Sequence, residues 1–349
     1  MTERSTTPTR TVAVIGAYGH TGRFVVAELS GRGLVPILSG RDADRLHDLG
    51  RAFPGSVVRP AALDHPAALD RVLAGADAVV NCAGPFAGTA APVLDAALRA
   101  RVPYLDVTAE VESVADVIAR YDSPARDAGV AVVPAMAFFG GLGDLLATAA
   151  LRDWPAADRV SLAYALSCWR PTPGTRATGR VSARRRGGDR IVYTGDRFRR
   201  RTGPAPLAEW TFPDPVGTLS VVAESTTADS ATIPSHLAVP EVRTYLSAAA
   251  VDDLRSADPR PPTAVDDRGR SAQTFLVEAV VSREGSTRRA VARGQDIYAV
   301  TAPLVVEAAV RLLDAPGRTG VLAAGEAFDA RDFLLSLSPE HLEVDLDPS

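Results

Sequence analysis

Lysine is absent from the sequence, since all 38 basic residues among its 349 are arginine. A chain without lysine cannot form a Schiff base through its own side chain, hold a phosphate with a P-loop lysine, or use the Tyr-x-x-x-Lys pair of short-chain dehydrogenases. These three kinds of site are therefore excluded before any motif is considered.

Cysteine is almost absent as well, with only Cys82 and Cys168. So few cysteines favour a reducing, cytoplasmic compartment and argue against a disulfide framework or a cysteine zinc site, and we predict no metal site. No apolar run approaches the roughly 18 to 20 residues of a membrane span. Residues 1–10 lack the apolar segment of a signal peptide. We therefore expect no membrane partner, and the formal net charge of −4 gives no reason to expect nucleic acid.

A glycine-rich loop follows the apolar run at residues 12–15 and precedes a predicted helix over residues 21–29. A buried strand, three spaced glycines and a helix are what the pyrophosphate of a dinucleotide requires. We expect Gly16 to take the tight turn, Gly19 to let the backbone approach the phosphates, and Gly22 to let the helix lie close to the strand. A glycine-rich turn that binds nothing is the alternative. The residues assigned to the cofactor here are Gly16, Tyr18, Gly19, His20, Thr21 and Gly22.

The second predicted strand, at residues 34–38, ends in Ser39-Gly40-Arg41. About 20 residues beyond the glycines, an acid would bind the 2′-hydroxyl of the adenosine ribose, whereas an arginine accommodates a 2′-phosphate. Arg41 stands at this distance from the last glycine of the loop, and no acid stands at the strand end. This favours NADP(H) over NAD, with Ser39 and Arg41 in the site. A surface arginine, with Asp42 or Asp44 on the ribose, is the alternative.

Further predicted strands at residues 57–58, 78–80, 104–106 and 130–133 alternate with helical segments. This alternation predicts an α/β fold, with a doubly wound parallel sheet over residues 1–135. Because ligands bind beyond the carboxyl ends of parallel strands, we expect the loop after residue 80 to border the nicotinamide. Cys82 in this loop is interpreted as a small packing residue. The loop residues assigned to the cofactor are Asn81, Ala83, Gly84, Pro85 and Phe86.

The strand at residues 104–106 brings polar side chains to the same edge of the sheet. Tyr104, Asp106 and Glu110 could orient a substrate or relay a proton there. Alternatively, Asp106 and Glu110 cap the next helix, predicted over residues 111–121. The two roles do not exclude each other.

These motifs, at residues 16–22, 39–41, 81–86 and 104–110, together resemble the saccharopine dehydrogenase-like superfamily of NADP-binding oxidoreductases. That superfamily includes saccharopine reductases and trans-acting enoyl reductases. The likeness resumes at residues 296–302 and 320–326, with Phe333-Leu334. Family members often carry Gly-Phe-Asp-Ser-x-Pro-x-Asp after the last Rossmann strand. The corresponding residues 137–144 keep only Phe138 and Asp144 of that segment.

The resemblance implies a Rossmann domain over residues 1–135. It also implies an inserted α+β substrate and dimerisation domain over residues 136–297, and a C-terminal helical segment over residues 298–349 that packs back on the Rossmann domain. Between Arg176 and Arg201 the inserted region holds ten arginines and two aspartates, a local charge of +8. Such a segment could recognise a carboxylate or phosphate of the substrate, or could be a solvated loop that pairs with acids elsewhere.

The reaction that the resemblance implies is hydride transfer from NADPH to a C=N bond of a small metabolite. Without lysine, the proton must come from another side chain or from water. An enoyl reductase for a carrier- or CoA-linked substrate and a non-catalytic NADP(H)-sensing regulator are the alternatives, and a homodimer is left open. The candidate proton donors are Tyr104, Asp106, Glu110, Asp144 and His236.

Overall fold

The computed structural model describes residues 10–256, 260–315 and 317–347. The described helices are α1 His20–Gly31, α2 Ala43–Ala52, α3 Pro66–Leu73, α4 Phe86–Ala100, α5 Val111–Ala128, α6 Gly143–Leu151, α7 Pro173–Arg185, α8 Asp229–Thr232, α9 Ala248–Arg255, α10 Thr301–Asp314, α11 Ala324–Ala327 and α12 Ala330–Ser336. The described strands are β1 Thr11–Ile15, β2 Val35–Ser39, β3 Val57–Val58, β4 Ala78–Asn81, β5 Tyr104–Asp106, β6 Ala131–Val133, β7 Arg159–Leu166, β8 Arg190–Thr194, β9 Phe198–Arg201, β10 Leu207–Phe212, β11 Gly217–Ala223, β12 Glu241–Ser247, β13 Thr274–Arg283, β14 Ser286–Gln295, β15 Gly320–Val321 and β16 Leu342–Asp345.

The first sheet has seven parallel strands in the order β3-β2-β1-β4-β5-β6-β15. Six of them follow the order of a doubly wound Rossmann sheet, so the predicted fold class is confirmed. Helices cover both faces of the sheet, which is why the central strands β1 and β4 are buried and read as continuous apolar runs. The strand order reverses between β1 and β4, so the loops that follow these two strands border one crevice.

The second sheet is mixed and confirms the inserted α+β part of the predicted fold. Its order is β10-β11-β12-β7-β13-β14-β16, and β8 and β9 form a hairpin beside β12. Strand β12 runs parallel to β7, whereas the other neighbours are antiparallel. The turn between β13 and β14 is Glu284-Gly285, and both residues have positive φ, as a two-residue hairpin requires.

Helix α10 brings the C-terminal part of the chain back to the first sheet. It packs along α1, where the Arg32 guanidinium lies 2.7 Å from Glu28 and 2.5 Å from Glu307. The helical prediction for residues 298–349 omits two strands: β15 joins β6 in the first sheet, and β16 joins β14 in the second. The domain limits predicted from the sequence stay predictions. None of the helices within the described ranges has both the length and the apolarity that a membrane crossing would require.

Candidate functional site

A cavity of about 1370 Å³ lies between the carboxyl edge of the first sheet and the second sheet. The loop after β1, the start of α2 and the loop after β4 line one side of it. Helix α7 and residues of β11, β12 and α9 line the other side. The cavity therefore lies at the point where the strand order reverses, which is where doubly wound sheets bind their ligands.

The three glycines of the first loop differ in what surrounds them. Gly16 has φ +80°, and a Cβ there would lie 3.0 Å from the amide nitrogen of Ala83. A Cβ on Gly22 would lie 2.3 Å from the carbonyl oxygen of Gly16, so a side chain there would separate α1 from β1. Within the described residues, a Cβ on Gly19 would meet one neighbour, the Gly16 oxygen at 3.0 Å. The space that Gly19 leaves open belongs to the cavity.

Helix α1 begins at His20 beside this space, and no side chain caps it among the described residues. Its first N–H groups, including those of His20 and Thr21, are therefore available to an anion in the cavity. The His20 ring packs edge-on against Phe24 and Tyr298, with centroid distances of 5.4 and 5.1 Å. Its Nε2 atom is buried and has no hydrogen-bond partner among the described residues. Burial lowers the pKa of His20, so the ring is neutral at pH 7 and Nε2 can bond to a ligand.

Three arginines line the cavity near Tyr18. The Arg45 guanidinium lies 4.4 Å from the centroid of the Tyr18 ring, and Arg23 Nε donates to the Tyr18 carbonyl at 3.3 Å. Arg41 also lines the cavity. Asp42 is used elsewhere, because its carboxylate accepts the Arg45 N–H at 3.1 Å and caps α2. The sequence argument missed Arg23 and Arg45, although Arg45 stands one helical turn after Arg41.

The loop after β4 presents Ala83, Gly84, Pro85 and Phe86 to the cavity. Asn81 lies beneath it and does not line the cavity: its Oδ1 accepts the Ala83 N–H at 3.0 Å. The cofactor residues assigned from the sequence that do line the cavity are Gly16, Tyr18, Gly19, His20, Thr21, Arg41, Ala83, Gly84, Pro85 and Phe86.

Two of the assigned loop residues face inward. Ser39 is buried, and its carbonyl accepts the N–H groups of Gly16 and Ala17 at 2.8 and 3.1 Å. Gly22 is buried beneath the start of α1. Burial raises the pKa of the Cys82 thiol, and the nearby Asp106 carboxylate raises it further. This makes Cys82 a poor nucleophile.

Tyr104 and Asp106 lie inside the sheet and do not line the cavity. The Tyr104 hydroxyl donates to Asp106 Oδ2 at 2.9 Å and accepts from Asn81 Nδ2 at 3.3 Å. Asp106 Oδ1 accepts the N–H groups of Thr108 and Ala135 at 3.0 and 2.8 Å. The Asp106 side chain thus joins the loops that follow β5 and β6.

Glu110 is the one candidate proton donor that lines the cavity. Its carboxylate accepts the N–H groups of Phe86 and Ala87, at 2.7 and 3.0 Å, at the start of α4. The Thr178 hydroxyl of α7 also donates to it. Burial raises the pKa of Glu110, while the two N–H groups oppose that rise. The Glu110 side chain therefore caps α4, the helix before β5, and does not cap α5.

Asp144 and His236 form a buried pair outside the cavity. His236 Nε2 lies 2.7 Å from Asp144 Oδ1, and Asp144 Oδ2 accepts the N–H of Gly325 at 3.1 Å. Although burial alone would lower it, the Asp144 carboxylate raises the pKa of His236. This pair joins α6 to α11, so the five candidates occupy three separate places. Their catalytic roles stay predictions.

Helix α7 lines the cavity next to the loop after β4. A Cβ on Gly84 would lie 2.9 Å from Thr178 Oγ1, so this loop and α7 are in contact. The start of α7 is held by Tyr298, whose hydroxyl lies 3.1 Å from Trp169 Nε1, 3.3 Å from Thr172 N and 2.9 Å from Thr175 Oγ1. The sequence argument did not single out Thr178 or Tyr298 for the site.

Asp106→Asn should change how stability depends on pH. Burial raises the pKa of Asp106 from 3.8 to about 6, so the folded protein holds this proton at a pH where the unfolded chain has lost it. Wild-type stability therefore falls as the pH rises between these values. Relative to the wild type, the free energy of unfolding of the variant should rise by up to roughly 3 kcal/mol from about pH 4 to pH 7. Urea denaturation at each pH measures this.

Asp127→Asn is the matched control, since Asp127 is exposed on α5. Its denaturation curves should follow those of the wild type at every pH. If Asp106→Asn also ran parallel to the wild type, Asp106 would not carry a raised pKa.

Comparisons with known proteins agree with this geometry. Residues 12–133 match the family described as the saccharopine dehydrogenase NADP binding domain. A saccharopine dehydrogenase-like oxidoreductase from Homo sapiens is 28% identical over 145 residues, covering 36% of this chain and 34% of the human protein. A probable mitochondrial saccharopine dehydrogenase-like oxidoreductase from Arabidopsis thaliana is 31% identical over 146 residues, covering 38% of this chain and 32% of that protein. The matched region spans about a third of the length of each relative.

The apo saccharopine dehydrogenase (L-Glu forming) from Saccharomyces cerevisiae has a similar structure, with a TM-score of 0.64 and 12% sequence identity. The likeness covers 96% of this chain and 99% of the yeast chain, so it includes both sheets. At this identity it concerns the fold alone. The resemblance predicted from the motifs is thus confirmed: residues 12–133 match the saccharopine dehydrogenase NADP binding domain, which supports a nicotinamide cofactor.

Proposed function

We propose that the chain is an NADPH-dependent oxidoreductase that transfers a hydride to the C=N bond of a small metabolite. The observation that carries this proposal is the cavity that the glycine-rich loop, the loop after β4 and the second sheet share. A cofactor on the first two would leave the space beside α7 for a substrate. The oxidoreductase names of the relatives support the same reaction class.

Arg41 and Arg45 support NADP(H) as the cofactor. Both line the cavity at the carboxyl end of β2, where the adenosine ribose lies in a dinucleotide fold. Asp42 is occupied in capping α2, so it is a poor partner for a 2′-hydroxyl. The two guanidinium groups suit a 2′-phosphate, because the neighbouring Asp42 carboxylate is already bonded to the start of α2.

The residues around Gly84 support an imine as the hydride acceptor. When bound, NADPH supplies the hydride, so the protein needs no nucleophile for this step. The Thr178 hydroxyl donates a hydrogen bond to the Glu110 carboxylate and keeps lone pairs that can accept an N–H bond from a protonated imine. The Glu110 carboxylate behind it favours that positive charge. A C=C bond offers no hydrogen-bonding atom to this pair.

The remaining candidate donors have indirect roles in this proposal. Tyr104 and Asp106 hold the loops that border the nicotinamide, and Asp144 and His236 join α6 to α11. We assign the orientation of the protonated imine to Glu110 acting through Thr178, because Glu110 alone among the five lines the cavity. Hydride addition to the protonated imine gives the amine, and this step needs no further proton.

An enoyl reductase is the second candidate function, and a group of aliphatic side chains in the cavity favours it. Val222, Leu246, Val251 and Leu254 line the cavity and suit an aliphatic chain. Oxidation of NADPH against a panel of cyclic imines and enoyl thioesters distinguishes the functions. We expect turnover with imines. Turnover with enoyl thioesters alone would replace the proposal, and NADPH binding without any turnover would indicate a nucleotide sensor.

Gly19→Val should abolish NADPH binding while the protein stays folded. The valine side chain would occupy the space next to the first N–H groups of α1, which we assign to the pyrophosphate. Fluorescence titration with NADPH measures the affinity, and thermal denaturation checks the fold. Gly31→Ala is the control, because a Cβ there meets nothing within 4 Å. Retained NADPH affinity in the folded Gly19 variant would show that the loop does not hold the phosphates.

Arg41→Ala and Arg45→Ala should each weaken NADPH binding by roughly 1 to 3 kcal/mol, the value of a hydrogen bond between charged groups. NADH affinity should barely change, because NADH has no 2′-phosphate. Isothermal titration calorimetry with both nucleotides tests this. An equal loss for NADH and NADPH would contradict a 2′-phosphate site.

A further inference from the structure

One face of α7 forms a polar stripe along the cavity. The hydroxyl-bearing residues Thr175, Thr178 and Ser182 line the cavity, and Arg186 lines it just past the end of the helix. These positions recur at intervals of three or four along the chain, the spacing of one helical face. The stripe starts beside Tyr298 and passes Gly84 at Thr178.

Arg186 ends this stripe, and its guanidinium donates no hydrogen bond to any of the described residues. Its side chain is 21% exposed, and the carboxylate it faces, Glu112, lies 3.7 Å away, beyond hydrogen-bond distance. Both Glu112 carboxylate oxygens are buried and lack a hydrogen-bond partner among the described residues. Arg190, also on the cavity, differs because Glu224 at 2.9 Å and the Gly203 carbonyl occupy its guanidinium. Of these two arginines, Arg186 is therefore the one whose guanidinium N–H groups can bind a ligand.

Aliphatic side chains line the cavity as well. They come from Val222 of β11, Leu246 of β12 and the α9 residues Val251 and Leu254. The cavity therefore offers hydroxyl groups along α7, aliphatic groups from β11, β12 and α9, and a guanidinium past the end of α7. A ligand that satisfies all three has an anionic end and a short, largely aliphatic body.

We infer that this part of the cavity binds a substrate carrying a carboxylate, with Arg186 as its anchor. The inference rests on the proposed function, because it assumes that the reducible bond lies near Gly84 and Thr178. Successive helical residues rise 1.5 Å, so the levels of Ser182 and Arg186 lie about 6 and 12 Å beyond Thr178. The carboxylate and the reduced bond then belong to one small molecule and are separated by several bonds.

A monoanion fits this position better than a phosphate dianion. The Glu112 carboxylate lies close behind the Arg186 guanidinium, so the pair together has no net charge. A carboxylate can accept two parallel N–H bonds from the guanidinium, whereas a dianion would meet stronger repulsion from Glu112. Glu112 is a positioning residue here, because its oxygens are buried and do not line the cavity.

Calorimetric titration with straight-chain carboxylates from butanoate to octanoate tests the inference, with and without NADP⁺. The matched primary amides and alkyl phosphates are the comparison ligands. In the wild type we expect a carboxylate to bind more tightly than its amide and its phosphate. Arg186→Gln should weaken carboxylate binding roughly ten- to hundredfold, as expected for a lost charged hydrogen bond, and leave NADP⁺ affinity unchanged.

Arg197→Gln is the matched control, because it removes the same charge from the exposed turn between β8 and β9. It should bind carboxylates as the wild type does. Glu112→Gln removes the competing charge behind Arg186 and should tighten carboxylate binding severalfold, which a merely structural Arg186 would not produce.

Three results would overturn the inference: no carboxylate binds the wild type, the amide or phosphate binds as tightly as the carboxylate, or Arg186→Gln retains wild-type affinity. Failure of NADP⁺ to bind would instead refute the proposed function. The titrations without NADP⁺ still report on Arg186 in that case, so the two failures can be told apart.

Discussion

The Glu110 carboxylate is the contact on which the site depends. Its two oxygens accept the first N–H groups of α4 and so hold the loop between β4 and α4 in place. The same carboxylate accepts a hydrogen bond from Thr178 on α7. Helix α7 comes later in the chain, after β7, the first strand of the second sheet. A negative charge at the start of a helix is stabilised by the helix dipole as well as by the hydrogen bonds. One side chain therefore ties the loop after β4 to helix α7.

Tyr298 makes a second connection of this kind, at the start of α7. Its hydroxyl is bonded to three groups there, and its ring packs against His20 at the start of α1. Three segments distant in sequence therefore meet at one phenol. Tyr298 itself lines the cavity between the two sheets.

The local parts of the site could be predicted from the sequence, because their signals lie within one turn or one strand. Gly16 is recognisable because its positive φ favours glycine, and Gly22 because α1 approaches the Gly16 carbonyl too closely for a side chain. Arg41 is recognisable by its distance from the loop. The doubly wound sheet follows from alternating apolar runs, since buried parallel strands need continuous hydrophobic segments.

The rest depends on contacts between distant residues, which spacing does not reveal. Asp144 and His236 are 92 residues apart, and only the fold shows that they pair away from the cavity. Tyr104 and Asp106 lie on the same face of β5, where they bond to each other and Asp106 bonds to the loops that follow β5 and β6. Strand β15 has two residues, too few for any periodic pattern. It forms a strand by pairing with the edge of β6.

The path of the chain from β15 to β16 also bears on how the protein unfolds. These two strands complete the edges of different sheets, yet only α11 and α12 separate them in the chain. Detaching this segment would bare the unpaired backbone of β6 in one sheet and of β14 in the other. Because one short segment carries the edge strands of both sheets, loss of β15 from the first sheet would also disturb β16 in the second. We therefore expect the two sheets to unfold in a single cooperative transition and not as independent modules.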